Sequence, residues 1–353
     1  IIELFPDKKH PAHFKTDLLF GELEGYLESP PSLQYDYDYD QVVSFGELIS
    51  TTIVSEFLAK EGLNCRWFDV RELVRTDNSW REGKVDWQTT EKQISEKISA
   101  FLDQSEGSPA IALTQGFMGA TPGGDTTTLG REGSDYTAAI FAYALQADEM
   151  VIWKDVPGLL NADPKYFSRT GNLVSISYRE AIELSYYGAT IIHPKTIKPL
   201  QNKDIPLRIK SFVKPGDEGS IIQNDTAADS LIPSFIFKVD QVLISIIPRD
   251  FSFIDEQSLS EILAVFASNA IHISLMQNSA ISFSVCVDNN QRKLSRLFEE
   301  LGKDYKVRYN TGLELITIRH YDQATIDRVM EDGKTVLLEM RSRLTAQFVA
   351  RPH

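Results

Sequence analysis

Cysteine is nearly absent from this chain: Cys65 and Cys286 are the only two in 353 residues. They lie far apart and match neither a metal-binding spacing nor a disulfide framework, so idle or buried thiols are expected. Long hydrophobic runs are missing as well, and the opening stretch IIELFPDKKHPAHF has no charged-then-apolar leader pattern, so neither a membrane span nor a secretory leader is expected. Basic charge is in deficit. Against 50 Asp and Glu stand 36 Lys and Arg, a net charge of −14 that opposes a nucleic-acid partner. The glycine-rich region carries neither the Lys-Ser or Lys-Thr of a Walker loop nor G-x-G-x-x-G, and no Ser-His-Asp or Cys-His signature stands out. With 42% apolar residues to fill its cores, the chain reads as a cytoplasmic enzyme of two or three domains.

What is present is concentrated between Thr114 and Ala139, TQGFMGATPGGDTTTLGREGSDYTAA. Pro109 to Thr114 is short and apolar, as a buried parallel strand would be, although so short a run does not exclude a helix. Gly116, Gly119, Gly123 and Gly124 free the following backbone to approach a ligand. Ser134 is a good N-cap for a helix from Asp135 to Gln146, rich in alanine. A helix N-terminus beside Arg131 and a run of threonine donors makes a site for phosphate or carboxylate; the competing reading is a surface loop with flexible glycines.

Elsewhere, apolar residues recur at helical spacing from Gln41 to Lys60, with Glu47 near the first turns, where it is either an ammonium ligand or an exposed helix carboxylate. The preceding YDYDYD, Tyr35 to Asp40, reads as a solvated loop. A strand from Cys65 to Asp69 and a helix from Thr89 to Leu102 flank the polar segment Arg75 to Asp86, which either covers a site or merely connects. Met150 to Trp153 is a further buried strand that ends at Lys154 and Asp155 before a Pro157-Gly158 turn. Strand, helix, strand predicts a parallel sheet, with ligands at the strands' carboxyl ends.

GDTTTLGREGSDYTAA, together with VSFGELISTT from Val43, VIWKDVPGLLNADPK from Val151 and ELSYYGATIIHPKTI from Glu183, resembles the aspartate kinases of the amino-acid kinase family, with the motifs in that family's order. The resemblance implies an α/β fold, a mostly parallel sheet sandwiched by helices. It also implies ATP and Mg²⁺ as cofactors and L-aspartate as substrate, phosphorylated on its β-carboxylate to 4-phospho-L-aspartate at the entry to lysine, threonine and methionine synthesis. It assigns the substrate amino group to Glu47, a substrate carboxylate to Arg131, the amine or the glycine loop to Asp135, and a capping and donor role to Ser134. The nucleotide falls to Lys154, Asp155, Leu160, Asp163, Pro164 and Lys165; Lys165 stands where the family often has arginine, Leu160 where it has tyrosine and Thr190 where it has lysine. The β-carboxylate is already ionised at neutral pH, so this chemistry needs charge neutralisation and alignment but no base, and His193 is expected to pack or hydrogen-bond. The family's Lys-Phe-Gly-Gly segment is not found before Val43, so an absent N-terminal portion is expected, with little activity if the molecule itself lacks it. Two alternatives stay open: a related kinase acting on another carboxylate such as glutamate, and a non-catalytic amino-acid sensor.

The segment from Ile205 resembles the family's last kinase strand, and DTAADS from Asp225 is a polar linker, which puts a boundary near Ser230 between a catalytic domain (1–230) and a second region (231–353). Beyond it LISIIPRD at Leu243 is echoed by LITIRHYD at Leu315. The first repeat reads as strand Val242–Ile247, helix Ser258–Ala270, strands Ile273–Gln277 and Ile281–Val287, helix Gln291–Leu301 and a strand from Tyr305, the order of a ferredoxin-like unit. The second offers a strand, a helix from Gln323 to Asp332, an ambiguous Lys334–Met340 and a strand Ala346–Ala350. This resembles tandem ACT regulatory domains with the second shortened, and so implies an amino-acid effector and a homodimer; a purely structural dimerisation module is the alternative. Phe251, Ser252, Phe253, Ser274, Gln277 and Asn278 are the effector candidates; lysine-sensitive relatives have an aspartate where Ser274 falls, which leaves lysine, threonine or no effector open.

Overall fold

The computed structural model describes every residue except 105–108, 168–169, 190–191, 251, 331–332 and 353. In chain order the elements are α1 (Pro11–Glu28), α2 (Tyr35–Lys60), β1 (Asn64–Phe68), α3 (Trp87–Ile94), continued through a π turn into α4 (Ala100–Asp103), β2 (Ala110–Thr114), β3 (Met118–Ala120), β4 (Thr126–Thr128), α5 (Gly133–Leu145) and β5 (Met150–Lys154). Then follow β6 (Ser175–Ser177), α6 (Tyr178–Tyr187), α7 (Pro194–Lys203), β7 (Leu207–Ser211), β8 (Ser220–Gln223), β9 (Ser234–Pro248), α8 (Glu256–Ser268) and β10 (Ile273–Asn278). Last come β11 (Phe283–Asp288), α9 (Gln291–Leu301), β12 (Tyr305–Arg319), α10 (Gln323–Met330), β13 (Thr335–Arg341) and β14 (Thr345–Arg351).

The chain divides into two compact units, one of Ile1–Pro157 with Ile192–Asn224, the other of Gly158–Ile191 with Asp225–His353. The expected boundary near Ser230 is therefore not the only break. Gly158–Ile191, read as part of the first domain, packs with the C-terminal region, because Asn161 bonds to the carbonyl of Pro233 (2.8 Å) and Phe167 packs its ring on Phe235 and Phe237.

In the first unit β1 pairs in parallel with β2, and β5 in parallel with β7, with β8 antiparallel to β7. Leu48 of α2, Ile94 of α3, Met118 of β3 and Ile140 of α5 meet in its core with Val70 and Val74. YDYDYD is not a loop. It forms the first turns of α2, where Asp36 and Asp38 favour the positive end of the helix dipole and Asp40 turns inward, fully buried. By length and composition alone α2 is apolar enough to cross a bilayer, but it carries this buried carboxylate and packs on α1, β1 and β4 inside the unit.

In the second unit one six-stranded antiparallel sheet runs β10-β11-β9-β12-β14-β13. The two ferredoxin-like halves are nested, not tandem. Gln241–Pro248 of β9 pairs with β11 and the start of β12, completing a first half with α8 and α9, while Ser234–Lys238 pairs with Leu315–Arg319. The fourth strand of the second half is thus supplied by the beginning of β9, upstream of the whole first half, so that half is not short of a strand as its sequence suggests. The ambiguous Lys334–Met340 is the edge strand β13.

Helix α6 starts at Ser177, whose hydroxyl accepts the Glu180 N–H (3.0 Å), and is pinned to the end of β12 by a buried ion pair. Arg319 donates to both Glu180 oxygens (3.1 and 2.5 Å) and to the Thr345 hydroxyl (2.7 Å), with His320 Nε2 3.2 Å from the same carboxylate. Removing one partner of such a pair leaves the other charge buried. Glu180→Ala should destabilise the protein by about 3 kcal/mol in denaturant unfolding, far more than Glu339→Ala at an exposed pair.

Candidate functional site

Helix α5 begins in an unusual way. Gly130 (φ 76°) turns the chain after β4, and Glu132 then takes a left-handed conformation (φ 55°) that costs a non-glycine residue roughly 1 kcal/mol. Glu132, not Ser134, occupies the capping position; Ser134 lies inside the first turn and α5 has no side-chain cap. The Glu132 carboxylate is used elsewhere, accepting the His193 N–H at 2.8 Å. His193 in turn caps α7 by accepting the Lys195 N–H on Nδ1 (3.1 Å), so it has the hydrogen-bonding role expected of it. The Gly133 N–H turns back to the Gly130 carbonyl (3.1 Å), and with no side-chain cap the N–H groups of Ser134 and Asp135 are the ones left to face a ligand. Gly116 brings the exit of β2 directly against this turn: a Cβ there would stand 2.8 Å from that of Ser134.

A cavity of about 690 Å³ opens at this point. Its floor is Gly130 to Asp135, one wall is Tyr39 and Glu47 of α2, and another is Arg81 and Glu82. The polar segment Arg75–Asp86 therefore covers the site and does not merely connect. Four of the expected residues, Glu47, Arg131, Ser134 and Asp135, meet here. A fifth, Lys154, reaches Asp135 from the end of β5 (3.4 Å). Burial pushes the Glu47 carboxyl above the ordinary carboxylate range; burial does the same to Asp135, against the pull of Lys154. Carboxylates and guanidinium groups thus share one cavity at the positive end of a helix, an arrangement that can meet both an ammonium and a carboxylate on one small ligand.

The threonine run has a different role from the one expected. Thr126, Thr127 and Thr128 form a buried strand of the β3–β4 hairpin; the Thr128 hydroxyl donates to Asp40 (2.7 Å) and that of Thr127 pairs with Thr76 (2.5 Å), so neither serves a ligand. Gly119 backs onto the Val74 carbonyl, and Gly124 turns the hairpin. Asp40 was missed altogether. Its carboxylate accepts from the Arg81 N–H (2.8 Å), the Thr128 N–H (3.0 Å) and the Thr128 hydroxyl, tying three walls of the cavity together. Arg81 lies 4.5 Å from the Tyr39 ring and 3.3 Å from Asp36. Asp36, Asp40 and Glu47, spaced by four and seven, would have revealed one helical face had the helix been extended back through YDYDYD.

The other expected residues are not part of this cavity's lining. Asp155 is exposed just after β5. Leu160, Asp163, Pro164 and Lys165 belong to the second unit, where Asp163 accepts the Lys165 N–H (2.8 Å). Thr190 and Phe251 fall outside the described residues. Ser252 and Phe253 are exposed in the loop after β9, which the Ile254 N–H ties to the β10–β11 turn at Ala280 (2.9 Å). Gln277 and Asn278 end β10 beside that turn, and the Ser274 hydroxyl accepts from Lys238 (3.1 Å). Among the described residues no group of three or more His, Cys, Asp or Glu side chains could hold a metal ion.

The profile described as "Amino acid kinase family" matches residues 8–211. The lysine-sensitive aspartokinase 3 of Escherichia coli is 30% identical over 287 residues, which are 79% of this chain and 62% of that protein; the chain thus spans about three-fifths of that relative's length. The crystal structure of E. coli aspartokinase III with aspartate and ADP superposes with a TM-score of 0.77 at 26% identity, covering 95% of this chain and 77% of that one. The form with lysine and aspartate gives 0.78 at 26%, covering 97% and 78%.

Two measurements probe this geometry. Asp40→Asn keeps the shape but turns a donor toward the N–H groups it now accepts from, and should lower unfolding free energy by about 2 kcal/mol while raising hydrogen exchange in 75–86. Glu47 has a raised folded-state pKa, so its ionised form opposes folding: Glu47→Gln should raise the melting temperature at pH 7, with the gain disappearing as pH falls below the ordinary carboxylate range.

Proposed function

The chain belongs to the amino acid kinase family, and on that premise we propose that it transfers the γ-phosphate of ATP to the β-carboxylate of L-aspartate, giving 4-phospho-L-aspartate and ADP. The observation that carries this reading is the meeting of Glu47, Arg131, Asp135 and the uncapped α5 N-terminus on one cavity. The similar E. coli enzyme solved with aspartate and ADP supports it.

Aspartate brings one ammonium and two carboxylate groups. Glu47 and Asp135 hold the ammonium, Arg131 forks onto the α-carboxylate, and the α5 N–H groups orient the β-carboxylate. A β-carboxylate oxygen then attacks the γ-phosphorus; the bond to the bridging oxygen breaks, ADP leaves with the electron pair, and no proton moves. Two anions must approach each other, so charge neutralisation dominates the barrier. Lys154, held at the cavity by Asp135, places an ammonium at the end of β5 for the transferring phosphoryl group. Mg²⁺ carried by the nucleotide phosphates would supply further neutralisation of the phosphate oxygens. Asp155, Leu160, Asp163, Pro164 and Lys165 are proposed nucleotide contacts. The ferredoxin-like halves are proposed to bind an amino-acid effector near Ser252, Phe253, Ser274, Gln277 and Asn278 and to form a homodimer; lysine is favoured by the E. coli form solved with it. A cytoplasmic setting goes with this reading.

Hydroxylamine trapping of the acyl phosphate tests the proposal. ATP-dependent hydroxamate should form with aspartate and not with glutamate, and Arg131→Ala should lower kcat/KM for aspartate about 100-fold. Equal turnover of glutamate would assign a different kinase; aspartate binding with no hydroxamate, both in this chain and in one restored with a family-like N-terminal strand, would assign a sensor. Glu47 must be ionised to hold the ammonium, so the acid limb of kcat/KM should lie above the range of an unburied carboxylate.

A further inference from the structure

A second cavity of the first unit, about 350 Å³, lies between α3, α5 and α7 and has no part in the chemistry above. Trp87, Tyr136 and Tyr143 line it together with the buried ring of Pro199. The aromatic rings lock one another in place, Trp87 meeting Tyr143 at 5.2 Å and Tyr136 at 6.3 Å, both edge-on. Above this apolar lining stand Lys195 and Lys198, one helical turn apart on α7. Lys203, farther along α7, already pairs with Glu91 (3.9 Å) and lies 4.7 Å from the Tyr143 ring, whereas neither Lys195 nor Lys198 has an ion-pair partner among the described residues. No carboxylate lines the cavity, although acidic residues outnumber basic ones by a net 14 charges over the whole chain.

We propose that this cavity binds a small planar aromatic anion, a ring carrying a phosphate or a carboxylate, with the ring among Trp87, Tyr136 and Tyr143 and the charge at Lys195 and Lys198. The volume suits a single-ring compound, and aromatic walls with a few placed charges are the usual make-up of small-ligand sites. Ring and charge are both required: three aromatic groups without a cation would accept any apolar compound, and two exposed lysines without the rings would hold a free anion only weakly.

Saturation-transfer NMR on the full chain tests this with phenyl phosphate as the probe, benzyl alcohol as the ring without the charge, and inorganic phosphate as the charge without the ring. Phenyl phosphate should bind with a Kd of about 1 mM or tighter, and each half-probe at least about tenfold more weakly. Lys195→Glu combined with Lys198→Glu should weaken phenyl phosphate about tenfold at an unchanged melting temperature, since both side chains are exposed. Saturating ADP and aspartate should leave the phenyl phosphate signal intact. Phenylacetate in place of phenyl phosphate distinguishes the two anion types, and tighter binding of either fits the proposal. Equal affinity in the charge-reversed variant, displacement by ADP or aspartate, or no saturable binding of either aromatic anion by about 10 mM would overturn it.

Discussion

Much of the first unit depends on one buried carboxylate. Asp40 has no access to water, and its three hydrogen bonds reach from α2 to the backbone of Arg81 and to both the backbone and the hydroxyl of Thr128. A charge in such a place is tolerable only when its lone pairs are filled, so helix, covering segment and hairpin must come together in one arrangement. Neighbouring contacts reinforce it: Gln41 bonds the Thr126 backbone on both sides (3.1 and 2.7 Å), and Trp80 packs edge-on against Tyr37. The cavity has its shape because these walls share an anchor outside the cavity itself.

The floor shows the opposite economy, in which local stability is lower. Glu132 sits in a strained conformation, α5 starts without a cap, and Glu47 and Asp135 are partly desolvated with only Lys154 to offset the cost. Each of these costs stability, a cost that the proposed aspartate would offset by setting a cation at the carboxylates and an anion at the helix end. The second cavity, which shares only α5 with the first, shows no such strain; Trp87 and Tyr136 of its lining belong to the packing of the unit.

The sequence was a good guide where signals were local. The strand-turn-helix around Gly116 to Ala139 was legible from glycine placement and helical period, while the convergence of Glu47, Arg131, Ser134 and Asp135 followed only from the family resemblance. What failed was set by distant partners. Ser134 has the side chain of a cap, but the left-handed Glu132, drawn toward His193, took the position. The threonines looked like ligand donors because nothing nearby in sequence shows that Asp40 and Thr76 use them. YDYDYD has a two-residue alternation that hides a helix start, and the helical spacing from Asp36 to Glu47 is visible only once that alternation is disregarded. The placement of Gly158–Ile191 with the C-terminal sheet rests on Asn161, Phe167 and Glu180 finding partners more than sixty residues away.

The nesting of the two ferredoxin-like halves also dictates an order of events during synthesis. Ser234–Lys238 leaves the ribosome before the whole first half, yet its pairing partner, Leu315–Arg319, is made only after that half is complete. At about 5–20 residues per second the early strand waits several seconds with both edges unpaired, carrying Phe235, Ile236 and Phe237 in full view of other nascent chains. The first half, whose strands Gln241–Pro248, β10, β11 and Tyr305–Asn310 are nearly contiguous, can close in that interval and serve as the template onto which the rest is added. Because β9 and β12 each run unbroken through both halves, the growing sheet inherits its register from the half that forms first.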